Sequence, residues 1–550
     1  QGLQQPPGLS GRCRGGPGLD MVVAAPKKET EASQGHAEPA VREGFLELPP
    51  PFFIGTATAA YQVEGAAFAD GRWPSIWDEF ARQPSNTSRG HNGDIACDHY
   101  HRFKSDVAIM AHLGFHAYRF SISWSRLIPE GEGEVNEDGV RFYSELIDEL
   151  LAKGITPWAT LYHWDLPSAL EYSFGGWHGP KEDIVAAFGV FARTCFARFG
   201  DRVKKWLTLN EPWCVAVLGH CLGKHAPGRV EARGTEPYEV AHNLLLSHAE
   251  AVRIYRAEFA EQNGQIGVAL NTHWLYPMDS SSADDVMAAE RSKDFVLGWF
   301  ADPLYFGDYP AVMRERLGAR LPRFTAREKA LLQGSTDFFG MNFYTAYLAR
   351  LGNPMPELAE GFFYDMNVMA PIFRDPAWEV AGNGWPVVPW GFRDTLLYIQ
   401  ERYKPRGGIV VTENGCAHET EASAELDAAP GALQPRAFNA ASCPVEDLDG
   451  ETFEDPHRVR FLRAHLAAVH AARERGADVR GFFVWSTLDN FEWFDGYTQR
   501  FGVIRVDFPT QRRIIKASGR MLAEVARRGG LEAPIRAEQY PGTVFCGLPP

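Results

Sequence analysis

The chain has 550 residues, 45% hydrophobic and 23% charged, with 55 Lys and Arg against 70 Asp and Glu for a formal net charge of −15. This is the composition of a globular protein with ample core material, and its acidic balance disfavours nucleic acid or an anionic membrane as partner. No run of 18 apolar residues marks a membrane span.

Residues 1 to about 43 are rich in Gly, Pro, Gln and small polar residues without apolar periodicity, and read as a disordered N-terminal tail. Met21 to Pro26 is too short for the apolar region of a signal peptide. Arg12, Arg14, Lys27 and Lys28 against Asp20 leave two readings open, the remnant of a targeting peptide or a plain linker.

From Phe52 onward, strand-like and helix-like segments alternate. Short apolar runs bounded by Gly, Pro or charge predict strands over 52–58, 116–122, 156–162, 203–209, 265–270, 338–343, 408–412 and 481–485. Between them lie amphipathic helices. The clearest stripe is Val140, Phe142, Tyr143, Leu146, Ile147, Leu150 and Leu151, with Asn136 near its start and Gly154 just past its end. Eight strands separated by helices predict a closed α/β (β/α)₈ barrel, a single domain over 44–530 followed by a C-terminal tail, 531–550. The excess over the ~250 residues of a minimal barrel belongs in long active-site loops. One of these, Ala417 to Asp455, is polar and acidic, either a mobile rim or a disordered insert.

Two of the runs end in a carboxylic acid. Trp206-Leu207-Thr208-Leu209-Asn210-Glu211-Pro212 closes on a residue that cannot continue a ladder, and Ile409-Val410-Val411-Thr412-Glu413-Asn414-Gly415 repeats the pattern. Two carboxylates at the ends of two core strands are what glycosidic cleavage requires. The other strand ends offer Gln62, Arg119, His163 with Trp164, Asn342 with Tyr344, and Trp485, followed shortly by Glu492 and Trp493. These are hydrogen-bonding groups and aromatic platforms, the inventory a polyhydroxylated ring needs. Of the 13% aromatic residues most serve the core, and a subset suits a sugar site.

The runs Thr208 to Pro212, Val411 to Gly415, Ser121 to Leu127 and Trp485 to Trp493 together resemble the signatures of glycoside hydrolase family one, the β-glucosidase family. The resemblance covers the whole core. It implies a retaining double displacement in which Glu413 attacks the anomeric carbon and Glu211 serves as acid and then base. Burial and the charge of Glu413 are expected to raise the pKa of Glu211, while Arg119 and Tyr344 keep Glu413 ionised; Asn342 supports the pair. Gln62, His163, Trp164, Asn210, Glu492 and Trp493 match glycone-binding positions, with Trp485 as a stacking floor. Trp385 in GNGWPVVP is either loop core or an aglycone-side wall.

Glu492 disfavours a 6-phosphoglycoside by charge, and the acid at Glu211 replaces the amide of the thioglucosidase branch. Trp73, His220 and His225 depart from the family pattern in loops that bear on aglycone choice. The implied substrate is a terminal β-D-glucoside or short oligosaccharide, with β-D-galactosides and β-D-fucosides as side substrates. A transglycosidase on the same intermediate is the rival within enzymes, and a non-catalytic sugar-binding barrel the rival outside them. No cofactor or metal is implied: there is no G-x-S-x-G, H-E-x-x-H, Walker loop or G-x-G-x-x-G. The eight cysteines show no C-x-x-C or framework spacing, so free thiols in a reducing compartment, cytoplasmic or organellar, are expected. The Asn86-Thr87-Ser88 sequon points weakly the other way.

Overall fold

A computed structural model describes residues 44–418, 448 and 450–533. The N-terminal tail, residues 419–447 and 449 of the 417–455 segment, and residues 534–550 lie outside the described residues.

Eight parallel strands close into one ring: β1 (Phe53–Ala57), β2 (Ala117–Ser121), β3 (Thr156–Tyr162), β4 (Lys205–Asn210), β5 (Gln265–Pro277), β6 (Phe339–Leu351), β7 (Ile409–Asn414) and β8 (Val479–Trp485). Each pairs with its neighbours in chain order, and β8 pairs with β1 to close the barrel. One long helix follows each strand: α1 (His99–His112), α2 (Glu137–Ala152), α3 (Lys181–Phe199), α4 (Glu236–Glu258), α5 (Ala283–Lys293), α6 (Pro389–Tyr403), α7 (Pro456–Glu474) and α8 (Ala517–Arg528). The predicted (β/α)₈ barrel is therefore the fold. No helix among the described residues is long and apolar enough to cross a membrane.

Strand boundaries fall within two residues of the apolar runs, except at the ends of β5 and β6. Those two run on to Pro277 and Leu351, because beyond the barrel they pair with each other as a ribbon as far as Pro277 opposite Ala349. The extension carries Asn271, Thr272 and His273, so the apolar signal stops before the hydrogen bonding does. Phe45–Glu47 pairs antiparallel with Gly530–Glu532, so the described body continues into residues read as the start of the C-terminal tail.

Helix α2 shows why its segment is helical. The Asn136 side chain accepts from the Asp138 amide at 3.3 Å, satisfying an orphan donor of the first turn. Val140, Phe142, Tyr143, Leu146, Ile147 and Leu150 are buried against the barrel, and Gly154 leaves the helix at φ 74°. Leu151, expected in the stripe, is instead 43% exposed. It lies one residue round from Leu150 and turns off the buried face.

Inside the ring, Phe53 of β1, Trp158 of β3 and Phe483 of β8 meet across the barrel with centroids 5.2–5.6 Å apart, and Phe338 joins Trp158 at 5.4 Å. Strand glycines make room for these rings. A Cβ at Gly481 would lie 2.2 Å from Phe53, and one at Gly55 2.6 Å from Phe483. Phe53 opens β1, Phe338 precedes β6 and Trp158 is third in β3, so these rings lie toward the N-terminal end of the ring and the opposite end is left for the site. Truncating Phe483 to Ala removes its centre; the expected cost is about 3–5 kcal/mol, read as a lower thermal unfolding midpoint with an unchanged KM.

Candidate active site

Both strand-end glutamates stand at the C-terminal mouth of the barrel. Glu413 is the fifth residue of β7, and its neighbour Asn342 in β6 lies opposite it in the ladder. Glu211 follows β4 directly. Its amide donates to the Ala269 carbonyl at 2.9 Å, and its backbone then turns left-handed at φ 45°, ψ 63° into Pro212. That turn halts the strand and holds the side chain at the mouth. Such a conformation costs a non-glycine residue roughly 1–2 kcal/mol.

Arg119, from β2, lies wholly buried beneath the two acids. Its Nη1 donates to Glu413 Oε1 at 2.7 Å and to the Thr412 carbonyl at 2.9 Å, Nη2 to Asn210 Oδ1 at 2.6 Å, and Nε to Thr160 Oγ1 at 3.1 Å. Tyr344 donates its hydroxyl to Glu413 Oε2 at 2.6 Å. Asn342 Nδ2 donates to Glu211 Oε1 at 2.7 Å and to Asn210 Oδ1 at 3.1 Å, with Oδ1 accepting from Thr412 Oγ1 at 2.6 Å. Asn342 thus holds Glu211 directly, and Asn210, shared by Asn342 and Arg119, links it to the Arg119–Glu413 pair, so both acids open on one cleft at the barrel mouth.

The network also fixes the amide and imidazole orientations. Asn210 Oδ1 faces two donors, so Nδ2 must donate to His163 Nε2, 3.0 Å away. His163 Nδ1 then carries the hydrogen and, though buried, has no protein partner. Gln62 is its counterpart: Nε2 donates to the Phe491 carbonyl at 2.9 Å and Asn490 Oδ1 at 3.1 Å, with a longer contact to Glu492 Oε2 at 3.4 Å, while the buried Oε1 is left over. One free donor and one free acceptor, both desolvated, suit a ligand rich in hydroxyls.

The titration of the two acids is set mainly by burial. Burial first, then the nearby Glu413 charge, pushes Glu211 up to about 7, against weaker pulls from Cys214, Asn342 and Arg119. Burial also raises Glu413, but Arg119, Tyr344 and Asn342 all oppose it. The expectation that Arg119 and Tyr344 favour the ionised form is thus met by named contacts, although burial outweighs them in the net direction. Burial and the Arg119 charge hold His163 neutral. Glu492 is raised well above the carboxylate range by burial, Asp495 and Glu413, so its case against phosphate rests on the cluster of acids more than on a charge of its own.

Aromatic rings wall the mouth. Trp493 packs 4.5 Å from Trp164 and 4.7 Å from Trp77, and the His163 ring lies between Trp485 at 5.8 Å and Trp493 at 5.9 Å, nearly parallel to both. Trp164 donates its indole N–H to the Asn210 carbonyl at 2.9 Å. Trp385 is 38% exposed and meets Tyr344 edge-on at 5.5 Å, so it is a rim residue rather than loop core.

Several motif residues prove to be supports. A Cβ at Gly415 would lie 1.8 Å from the Trp485 carbonyl, so the chain after Glu413 can pass β8 only as glycine. Asp489 accepts from Lys516 at 2.7 Å, Gly502 at 3.0 Å and Arg500 at 3.1 Å, anchoring the loop that delivers Glu492. Sequence reasoning missed Thr160, Thr412, Asn490 and Cys214. Thr160 and Thr412 lie on strands already recognised, while Cys214 follows Glu211 by the three residues of a helical turn. His220 and His225 are both buried: His220 Nδ1 lies 2.8 Å from Glu236, and His225 packs on Trp77 and Trp164. Trp73 is 48% exposed.

Residues 46–429 and 439–531 match the model of glycosyl hydrolase family 1. Beta-glucosidase 42 of Arabidopsis thaliana is 47% identical over 469 residues, 84% of this chain and 90% of that protein. Beta-glucosidase 1B of Phanerodontia chrysosporium is 45% identical, covering 87% and 85%. Among solved structures, a mutant of the rice β-glucosidase Os3BGlu6 in a covalent complex with Glc superposes with TM-score 0.79 at 42% identity, covering 87% and 99%. The family 1 β-glucosidase from Thermotoga maritima gives 0.77 at 39%, covering 89% and 99%.

The raised Glu211 carries a stability cost with a definite sign. A folded-state pKa of about 7 against an ordinary 4.5 means the protonated acid fits the fold and the anion does not. Its favourable contribution is present below pH 4.5 and is lost as the pH rises through 7. Glu211→Gln is expected to unfold at nearly the wild-type temperature at pH 5 and to be more stable at pH 8, by about 3 kcal/mol. Equal midpoints at both pH values in a calorimeter would contradict this.

Proposed function

The chain belongs to glycosyl hydrolase family 1, and on that premise we infer that it is a retaining β-glucosidase in which Glu413 is the nucleophile and Glu211 the acid and base. The observation that carries this reading is the hydrogen-bonded chain Glu211–Asn342–Asn210–Arg119–Glu413, which joins both acids at one barrel mouth. In the first step Glu413 attacks the anomeric carbon and the C1–O bond breaks as Glu211 passes its proton to the leaving oxygen. Arg119 and Tyr344 keep the attacking oxygens charged and aimed. Forming the ester removes the Glu413 charge that held Glu211 up, so Glu211, now anionic, can take a proton from water. That water displaces the sugar from Glu413, and both acids return to their starting states.

We assign the glycone face to Gln62, His163, Asn210, Trp485, Glu492 and Trp493, with Trp164 behind them and Trp385 on the aglycone side. The substrates proposed are terminal β-D-glucosides and short oligosaccharides, turned over by the single unit 44–530. The five described cysteines are buried free thiols, which supports a reducing compartment, cytoplasmic or organellar.

Incubation with a 2-deoxy-2-fluoro-β-glucoside, followed by peptide mapping, is expected to place the label on Glu413; a label elsewhere removes the assignment. Glu211→Ala is expected to lose roughly 10²–10⁴-fold in kcat/KM on alkyl β-glucosides and far less on a dinitrophenyl glucoside, whose leaving group needs no proton. Equal losses on both would take the acid role from Glu211.

A further inference from the structure

Glu211 has two carboxyl oxygens, and each has a protein partner. Asn342 holds Oε1 at 2.7 Å; the partner of Oε2 is the thiol of Cys214, with Sγ 3.0 Å away. The contact follows from the local backbone. After the left-handed Glu211, the chain enters a helical turn at Pro212, and the Cys214 amide bonds back to the Glu211 carbonyl at 2.9 Å. Residues three apart on such a turn share a face, so the side chain of Cys214 comes to lie beside that of Glu211. The thiol is buried, and Glu211 is its polar partner.

We propose that Cys214 is a positioning residue that tunes the acid/base, its S–H donating to Glu211 Oε2 when that group is anionic. The inference rests on the acid/base reading of Glu211 given above. The chemistry suits a group that alternates between two states. When the C1–O bond breaks and the proton leaves Glu211, the anion is stranded in a dry site beside Asn342 alone unless a second donor is present. A thiol supplies one, and because sulfur also accepts weakly it tolerates the protonated form. Burial and the two neighbouring acids hold the Cys214 thiol well above its ordinary pKa, so it remains S–H throughout. The other charged or titratable groups facing this pair are Glu413 on β7, Arg119 on β2, Tyr344 on β6 and Glu492 after β8. None of them touches Oε2.

The test is the basic limb of the kcat/KM profile on an aryl β-glucoside, measured for wild type, Cys214→Ala and Cys214→Ser. Removing the donor is expected to raise the limb by about half a pH unit, and the stronger hydroxyl donor to lower it. A merely structural cysteine would reduce activity at every pH without moving the limb. An unmoved limb, or a shift of the same sign in both variants, overturns the proposal. Glu211→Gln, assayed beside wild type on the same aryl β-glucoside, separates this failure from that of its premise. If the limb disappears there, it belongs to Glu211 and the cysteine variants decide; if it persists, the acid/base assignment and the role of the thiol fall together.

Discussion

The site depends on one buried ion pair, Arg119 with Glu413, both almost wholly out of solvent. Taking two charges out of water is expensive, and their attraction repays it only when the remaining donors and acceptors are also satisfied. Arg119 meets that condition through partners on three other elements: Thr160 on β3, Asn210 on β4 and Thr412 on β7. Only a closed ring of parallel strands brings so many strand ends around a single guanidinium. The barrel is thus the means by which a cation can be held dry beneath a carboxylate.

From that pair follows the difference between the two acids. Both are buried, and burial alone would push both toward the neutral form. Glu413 is held by Arg119 and Tyr344, whereas the donors to Glu211 are an amide and a thiol. The group with the cation keeps its charge more readily, and that charge raises its neighbour. In the proposed mechanism two identical side chains thereby take separate roles from their surroundings, and the coupling lets formation of the ester at one reset the acidity of the other.

The barrel was legible because its eight apolar runs are short and sharply bounded, and the acids were legible because Pro212 and Gly415 mark where their strands stop. What escaped reading has a common cause. Leu151 and the ends of β5 and β6 depend on which neighbour a residue meets, and a one-dimensional pattern does not contain neighbours. Asp489 and Asn490 sit in the same motif as Glu492, yet one anchors a loop to Lys516 and the other holds Gln62, 428 residues away in the chain. A motif records that its residues act together without saying which of them touches the ligand. Cys214 was passed over for the opposite reason: it belonged to no motif of its own, and only the helical turn after Glu211 reveals where it points.

The left-handed residues connect the fold to the chemistry. Trp164, Glu211 and Trp493 all have positive φ, at 77°, 45° and 50°, and all three line the mouth. Conformations of that kind persist only where the surroundings over-determine them. Here the surroundings can be named: the Trp164 indole bonds the Asn210 carbonyl, the Glu211 amide bonds Ala269, and Trp493 is packed between Trp164 and Trp77. Two of these constraints are linked to a second constrained residue, since Asn210 precedes Glu211 and Trp493 packs on Trp164 itself, so relaxing one disturbs another. In the proposed double displacement the two acids must keep their places through two opposite proton transfers; walls of this stiffness serve that need, and the packing of the aromatic rings offsets the free energy stored in three unfavourable backbones.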